Sequence, residues 1–194
     1  EYNLFCIPGY DLSFSYNSYK RYKFEVFNTD KDCISLKSNI SPPKQTTLCV
    51  TVNQTNNIIK FYQDGELVDS IEFPGKLLNY ASEKNMYLGD SPSLEFNNRR
   101  PFGGTIDYFA MFNHSLEPGQ IKEISTNKSM GLTESFGNYS TPHTLELCYD
   151  MKTATYSSIP DLSGNRKGRT AEVRDCDKVP IQQASNFMKI PIPW

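Results

Sequence analysis

Three carboxylates, Glu66, Asp69 and Glu72, are the residues whose spacing first suggests chemistry. Paired carboxylates cleave glycosidic bonds when two of them flank the same bond. The alternating pattern around them predicts a strand, and positions 66 and 69 of a strand point to opposite faces of a sheet. The spacing therefore cannot place both groups across one bond, and we expect a solvated hairpin face and no enzyme.

The cysteines and histidines predict disulfide chemistry and not metal or nucleophilic chemistry. Neither His114 nor His143 has a serine or cysteine nucleophile in a recognisable setting. The five cysteines form no Cys-x-x-Cys pair, and with only two histidines in the chain a zinc site is not expected. Disulfides are the better interpretation, and the odd number leaves one thiol over, either free or paired with another chain. The cysteines are Cys6, Cys33, Cys49, Cys148 and Cys176.

Five Asn-x-Ser/Thr triplets indicate the compartment. Such triplets are acceptors for N-glycosylation, which takes place in the secretory pathway. Together with the predicted disulfides they favour an extracellular location, in a secreted protein or the ectodomain of a surface protein. The acceptor asparagines are Asn39, Asn53, Asn113, Asn127 and Asn138.

The composition excludes several classes of protein. The formal net charge is −2, with basic and acidic residues mixed along the chain, so we expect no nucleic-acid partner. The chain contains no run of 18 apolar residues, so we expect no transmembrane segment in it. Hydrophobic residues make up 38% of the 194 residues, with 12 Phe and 12 Tyr, which is enough to fill the core of one all-β domain.

The central part of the chain predicts strands and one short helix. Asp64-Gly65 lies between two strand patterns and predicts a tight hairpin, because both residues tolerate positive φ. In the strand that follows Gly103-Gly104 both faces are mostly apolar, so we expect it to be central. A helix is expected near Ser115, with Ser115 as its N-cap and Pro118 in its first turn. The predicted strands are Thr46–Val52, Asn57–Gln63, Glu66–Phe73, Asn85–Gly89 and Gly103–Asn113.

The two ends of the chain predict further strands of the same sandwich. Alternation of apolar and polar residues marks strands before residue 45 and again after residue 144. The fold class that we expect is all-β, an antiparallel two-sheet jelly-roll sandwich with one short helix. Pro191 and Pro193 place the last strand at an edge.

Several motifs in residues 47–121 resemble the laminin G-like and pentraxin-like jelly rolls of the concanavalin A-like group. They are a Tyr62-x-Asp64-Gly65 hairpin, a Leu88-Gly89 strand end, Phe102-Gly-Gly-Thr-Ile-Asp107, the aromatic strand after it and Leu116-Glu-Pro-Gly-Gln-Ile121. The resemblance implies the jelly-roll fold and a binding module. It is more specific for the fold than for the ligand.

The resemblance also implies site residues. Cys6 and Cys49 resemble the pentraxin inter-strand disulfide; we predict this bond and a second one between Cys148 and Cys176, which leaves Cys33 for a possible inter-chain bond. Some members of both families bind Ca²⁺ through loop oxygens, so Ca²⁺ is a possible but not a required cofactor. The corresponding acidic residues here are Asp30, Asp32, Asp90 and Glu95, and solvated loop acids are the alternative.

The loop that ends in Arg99, Arg100 and Phe102 is a second candidate binding site. Two arginines beside an aromatic ring suit a sulfated or sialylated glycan. An ordinary solvated loop is the alternative interpretation.

Residues 144–194 leave the domain organisation open. They resemble the opening of a laminin G-like unit, so they either return as permuted strands of one sandwich or begin a second unit. We expect one domain over residues 1–194, because a closed sandwich leaves fewer unpaired edges.

The expected function is extracellular recognition or adhesion through a protein or glycan ligand, as part of a larger ectodomain. A Ca²⁺-dependent lectin and a structural subunit of a cell-surface complex are the alternatives.

Overall fold

The computed structural model describes residues 2–7, 12–16, 21–40, 45–75, 77, 85–89, 102–128, 130–155, 157–164, 170–174 and 187–191. Strands are the main regular element among these residues, which also contain one α-helix, α1 (Pro118–Thr126), and two short 3-10 helices. The strands are β1 (Tyr2–Ile7), β2 (Leu12–Tyr16), β3 (Tyr22–Phe27), β4 (Cys33–Lys37), β5 (Leu48–Asn53), β6 (Ile58–Gln63), β7 (Glu66–Glu72), β8 (Asn85–Leu88), β9 (Tyr108–Phe112), β10 (Leu145–Asp150), β11 (Ser158–Ile159), β12 (Ala171–Arg174) and β13 (Phe187–Pro191). The expected all-β class with one short helix is confirmed.

One layer is an eight-stranded antiparallel sheet in the order β11-β12-β13-β8-β1-β2-β3-β4. Strands β1 to β4 are neighbours in chain order, and strand β13 pairs with β8, so early and late parts of the chain meet in this layer. In β3 the buried side chains are Tyr22, Phe24 and Val26, which alternate with less buried ones. Since side chains alternate along a strand, the sheet has one face on the core and one face outside it.

The second layer contains the sheet β5-β6-β7 and the pair β10-β9. Asp64 and Gly65 join β6 to β7 with φ angles of 51° and 86°, which confirms the predicted hairpin. Two hydrogen bonds place β9 beside β5: Gln45 Nε2 donates to Asp107 Oδ2 (3.0 Å) at one end, and Ser115 Oγ donates to the carbonyl of Val52 (2.8 Å) at the other.

The main core lies between the two layers. Its buried side chains come from both sheets, and apolar burial of this kind stabilises by about 1.5–3 kcal/mol for each large side chain. They are Phe5, Tyr22, Phe24, Val26, Ile34, Leu36, Ile59, Phe61, Phe73, Leu77, Met86, Leu88, Leu147, Tyr149, Ile159 and Ala171.

A second hydrophobic cluster, here called the outer cluster, covers the far side of the second layer. In β9, Phe109 and Met111 pack on the main core, whereas Tyr108, Ala110 and Phe112 pack on the outer cluster. The two apolar faces predicted for this strand are thus confirmed, whereas its predicted central position is not, because in the described part of the chain β9 pairs with β10 alone. The buried members of the outer cluster are Tyr62, Leu116, Ile121, Leu132, Tyr139, Leu145 and Cys148.

Helix α1 covers this side and begins later than the sequence suggested. Its N-cap is Glu117, whose backbone N–H donates to Gln120 Oε1 (2.9 Å), and Pro118 follows. The predicted N-cap Ser115 is wrong, because its hydroxyl is used by the carbonyl of Val52. The helix lies so close to the hairpin that a Cβ on Gly65 would be 2.9 Å from the Cα of Lys122.

The predicted disulfides are not formed in the structure. Cys49 and Cys148 are free thiols, and both pack in or against the outer cluster. Cys6 lies on β1 in the other layer, opposite Ser13 and Tyr87. Cys49 packs against the outer cluster, on the side of the second layer that faces away from the sheet of β1, so its thiol is turned away from Cys6. Cys176 lies outside the described residues.

The outer cluster also sets the chemistry of these thiols. Burial raises the pKa of Cys49 to about 12. Burial is also the main cause that raises the pKa of Cys148 to about 11; Asp161 and Asp150 add to this, and the hydrogen bond with the Tyr108 hydroxyl (2.7 Å) opposes it. Because the thiolate is the reactive form, both cysteines are inert packing groups at neutral pH.

On one side of the sandwich the Asp69 carboxylate links the edge strands of the two layers, and Ser38 and Gln63 form a second link beside it. Strands β4 and β7 are the last strands of their sheets in the described part of the chain. Asp69 Oδ2 accepts the backbone N–H of Lys37 on β4 (2.9 Å), and Oδ1 accepts that of Ser70 on β7 (2.8 Å). A charge that caps open strand edges is a known protection against edge-to-edge association.

Candidate ligand-binding face

The outer face of β2, β3 and β4 is polar at its centre, and we call Ser15, Lys23, Glu25 and Ser35 the polar face. Strand register places Ser15 opposite Lys23, and Glu25 opposite Ser35. Residues that are directly opposite share one face of a sheet. Since Phe24 between them is buried in the main core, these four residues lie on the outer side.

An ion pair lies at the centre of the polar face. Lys23 Nζ is 2.7 Å from Glu25 Oε1, and the two side chains are only 18% and 23% exposed. Charged side chains at a free surface are usually far more exposed than this. The pair is therefore partly desolvated, which strengthens its interaction with any polar group placed against it.

The polar face also contains two hydroxyl groups without partners. Ser15 Oγ and Ser35 Oγ are both buried and make no hydrogen bond in the structure. An unmatched buried polar group costs about 1–3 kcal/mol. Both hydroxyls lie beside the ion pair but are closed to solvent, so a ligand rich in hydroxyl groups would reach them only through a local rearrangement of this face.

Aromatic side chains lie on either side of this centre. Phe27 follows Glu25 on the same face of β3 and is partly buried. Tyr87, also partly buried, lies on β8, where it pairs with Cys6 on β1. Aromatic rings with neighbouring polar groups are common where proteins meet ligands that are apolar on one side and polar on the other.

The turn that contains Asp30 and Asp32 is held by its own hydrogen bonds. Asn28 is fully buried, and its Oδ1 accepts the backbone N–H groups of Asp30 (3.0 Å) and Asp32 (2.8 Å). Its Nδ2 donates to Asp32 Oδ2 (3.2 Å). These hydrogen bonds hold both aspartates in the turn without a metal ion.

The complete calcium set remains a prediction, because Asp90 and Glu95 lie outside the described residues. Gly89 is the described residue closest to them, and its N–H bonds to Leu4 at the start of β1. The Asn28–Asp32 turn lies at the other end of this sheet, since β3 runs parallel to β1. Among the described residues, no group of three or more His, Cys, Asp or Glu is placed to hold a metal ion.

The second predicted ligand site is only partly described. Phe102 is partly buried, and its N–H donates to the carbonyl of Gly89 (2.8 Å), which places it at the end of β8. Arg99 and Arg100 lie outside the described residues, so the structure does not test this site.

Four of the acceptor asparagines lie on the second layer or its cover, and the fifth, Asn39, follows the end of β4. Asn39, Asn53, Asn113 and Asn138 are exposed and Asn127 is half-buried, so none is sealed in the interior. Asn53 and Asn113 lie near one another at one end of the second layer, where Ser115 contacts Val52. No acceptor lies within β1–β4 or β8. Glycosylation itself remains a prediction.

The other residues considered for chemistry have structural roles or exposed positions. Glu66 pairs with Lys122 (2.6 Å), with both side chains more than 60% exposed, and Asp69 caps the strand edges. His114 and His143 are exposed. The described part of the chain contains no helix that is long and apolar enough to cross a membrane.

Sequence reasoning missed the polar face as a site. The alternation of Lys23, Glu25 and Phe27 with the buried residues of β3 is visible in the sequence. That pattern did not indicate that Lys23 and Glu25 are poorly exposed, or that the hydroxyls of Ser15 and Ser35 have no hydrogen-bond partner. Both facts depend on strand register across β2, β3 and β4.

Comparison with known proteins supports the expected fold family. Comparisons with curated proteins and with solved structures returned no match. A family model, Laminin_G_3, described as the concanavalin A-like lectin/glucanases superfamily, matches residues 5–122, which is more than half of the chain. This segment contains the second half of β1, all of β2–β9, most of the buried residues of the main core and the first part of α1. The chain therefore belongs to the concanavalin A-like lectin/glucanases superfamily, as a domain of the laminin G type.

Proposed function

We propose that this protein is an extracellular recognition module that binds a glycan through the polar face. The observation that carries the proposal is the partly desolvated Lys23–Glu25 pair beside the unpartnered hydroxyls of Ser15 and Ser35. Sugars offer many hydroxyl groups, and their rings pack on aromatic side chains such as Phe27 and Tyr87. Membership of a superfamily of lectins and glucanases is consistent with such a ligand.

The extracellular setting rests on the acceptor triplets. Four of the five acceptor asparagines are exposed, and Asn53, Asn113, Asn127 and Asn138 belong to the second layer and its cover, so glycans on these four would leave the polar face open. We propose that the protein acts in adhesion or receptor recognition within a larger secreted or membrane-anchored ectodomain.

We propose a binding role and not a catalytic one. The acid on the polar face, Glu25, is engaged by Lys23, and the Cys33 Sγ also lies 3.6 Å from its Oε1. Glycoside hydrolysis needs a second carboxylate within about 5–10 Å across the bond that is cleaved. The residues opposite Glu25 on the neighbouring strands are Ser13 and Ser35, neither of which can serve as that acid.

We also propose that residues 1–194 form one sandwich to which residues 144–194 return strands. The pairing of β10 with β9 and of β13 with β8 supports this arrangement. A second unit that began at residue 144 would not need to place its strands inside the sheets of the first.

A glycan array with the secreted protein tests the proposed function. We expect binding that falls about tenfold or more in Glu25→Gln, because a hydrogen bond to a charged group contributes about 1.5–3 kcal/mol. Glu134→Gln is the matched control, since Glu134 is exposed and lies on the side of the outer cluster. Equal binding by both variants, or no binding of any glycan by the wild type, would contradict the proposal.

The same array run with EGTA addresses the Ca²⁺-dependent lectin, the alternative that Asp30 and Asp32 leave open. We expect chelation to leave binding unchanged, because Lys23, Glu25 and the serine hydroxyls need no metal. Loss of binding in EGTA would favour the lectin.

A fixed protein partner, joined through the exposed Cys33, would instead indicate a structural subunit.

A further inference from the structure

Two of the acceptor asparagines, Asn127 and Asn138, contact the same side chain. Asn127 follows α1 as its C-cap, and Asn138 lies in the loop that packs against the helix. The shared group is Glu123, whose Oε1 accepts from Asn127 and whose Oε2 accepts from Asn138. The sequence gives both asparagines the same acceptor motif, but the structure places them differently.

The Asn127 amide is fully engaged. Its Nδ2 donates to the carbonyl oxygen of Glu123 (3.2 Å) and to Glu123 Oε1 (2.6 Å), and the residue is half-buried. An amide nitrogen has two hydrogens, and N-glycosylation replaces one of them with a sugar carbon. A glycan at Asn127 would therefore break at least one of these two side-chain bonds to Glu123, although the backbone bond from the Asn127 N–H to the Glu123 carbonyl (3.0 Å) would remain.

The Asn138 amide is open to a groove. Asn138 is exposed, and its Nδ2 makes one longer bond to Glu123 Oε2 (3.3 Å). It lines a groove of about 280 Å³ along α1, together with Gly119, Lys122, Glu123 and Thr126. This volume is close to the lower limit of small-ligand sites, which suits one or two sugar rings.

We propose that Asn138 carries an N-linked glycan whose first sugar lies in the groove along α1, and that Asn127 stays unmodified in the folded protein. In the transfer step Asn138 Nδ2 forms a bond to C1 of the sugar and gives up one proton. C1 loses its bond to the diphosphate of a lipid-linked oligosaccharide donor, which leaves as the lipid diphosphate. Lys122 and Thr126 then offer hydrogen-bonding groups to the sugar hydroxyls.

This inference rests on the extracellular part of the proposed function, and site occupancy separates the two. The protein is secreted from eukaryotic cells and its glycopeptides are measured by mass spectrometry, with Ser129→Ala and Ser140→Ala removing one acceptor motif each. We expect Ser140→Ala to lose the mass of one glycan and Ser129→Ala to lose none. A glycan on Asn127, or a bare Asn138 beside occupied sites elsewhere, overturns the inference alone; five bare sites overturn the extracellular proposal as well.

The position of the sugar needs a separate measurement. We compare the melting temperatures of wild type and Ser140→Ala, each produced both in the secreting cells and in bacteria that do not glycosylate. A sugar that packs in the groove stabilises the folded state, so Ser140→Ala is expected to lower the Tm by about 2–4 °C only in the glycosylated protein. The same Tm for both glycosylated forms would show that the sugar does not pack in the groove.

Discussion

The two outer faces of the sandwich have opposite characters, although both belong to antiparallel sheets with the same kind of inner face. The outer face of the second layer is covered by α1 and by the loop around Leu132 and Tyr139, which bury a second hydrophobic cluster. The outer face of β2–β4 has a polar centre with a sunken ion pair and two unpartnered hydroxyls. A sheet face that is apolar must be covered by the chain itself, whereas a polar face can remain available to a ligand.

Helix α1 and the loop around Leu132 and Tyr139, together called the cover, explain the position of one family motif. In the Tyr62-x-Asp64-Gly65 motif, Tyr62 packs in the outer cluster, and the Asp64 carboxylate accepts the Thr46 hydroxyl (2.7 Å) and the Thr47 N–H (2.8 Å). Gly65 allows the close approach of α1. The motif therefore holds α1 against the sheet β5-β6-β7, and it does not contact the polar face.

The largest expected effect is the loss of stability when the side chain of Tyr139, at the centre of the cover, is removed. Tyr139 is fully buried, its ring packs on Phe112 and Phe136 at centroid distances of 6.1 and 5.2 Å, and its hydroxyl donates to the carbonyl of Leu132 (2.8 Å). We expect Tyr139→Ala to lower the free energy of unfolding by about 3–5 kcal/mol in urea titrations.

Tyr139→Phe is the matched control for this change. It keeps the ring and removes only the hydroxyl, so we expect a loss of about 1–2 kcal/mol. An alanine variant as stable as the wild type would show that the cover does not stabilise the sheet.

A smaller effect should appear at alkaline pH, because the cover on the second layer buries the thiols of Cys49 and Cys148. Burial raises the pKa of Cys49 to about 12 and that of Cys148 to about 11, against about 9 for an unperturbed thiol in the unfolded chain. Below pH 9 both states keep these protons, so stability does not depend on them. Above pH 9 the unfolded chain loses the protons first, and stability falls by up to about 1.4 kcal/mol per pH unit for each thiol.

Urea midpoints between pH 8 and pH 10.5 measure this dependence. Cys49→Ala should make the alkaline decline shallower than in the wild type, because one of the two thiols no longer contributes. An identical slope in both proteins would contradict the burial of Cys49 in the cover.

The sequence could predict the parts of this comparison that depend on local patterns. Alternation located most of the strands, and Asp64-Gly65 located the hairpin because its φ requirements are local. The two apolar faces of β9 were visible in the order of its residues. The helix start was missed because Ser115 bonds to Val52, which is 63 residues away in the chain.

The candidate site could not be predicted, because it depends on contacts between strands. Cys49 is turned away from Cys6 because it packs on the outer side of its sheet, whereas the resemblance to pentraxins suggested a bond between them. The desolvation of Lys23 and Glu25 is likewise a property of the assembled sheet. The different surroundings of Asn127 and Asn138 arise only when the loop folds onto α1.

The central claim is that the polar face, and not the outer face covered by α1 or the strand ends, receives the ligand. The most direct measurement is an NMR titration of the ¹⁵N-labelled protein with the glycan that binds best on the array. We expect the largest amide shift changes at Ser15, Lys23, Glu25 and Ser35, with little change along α1. Changes confined to α1, or to the strand ends near Asp30 and Phe102, would contradict the account.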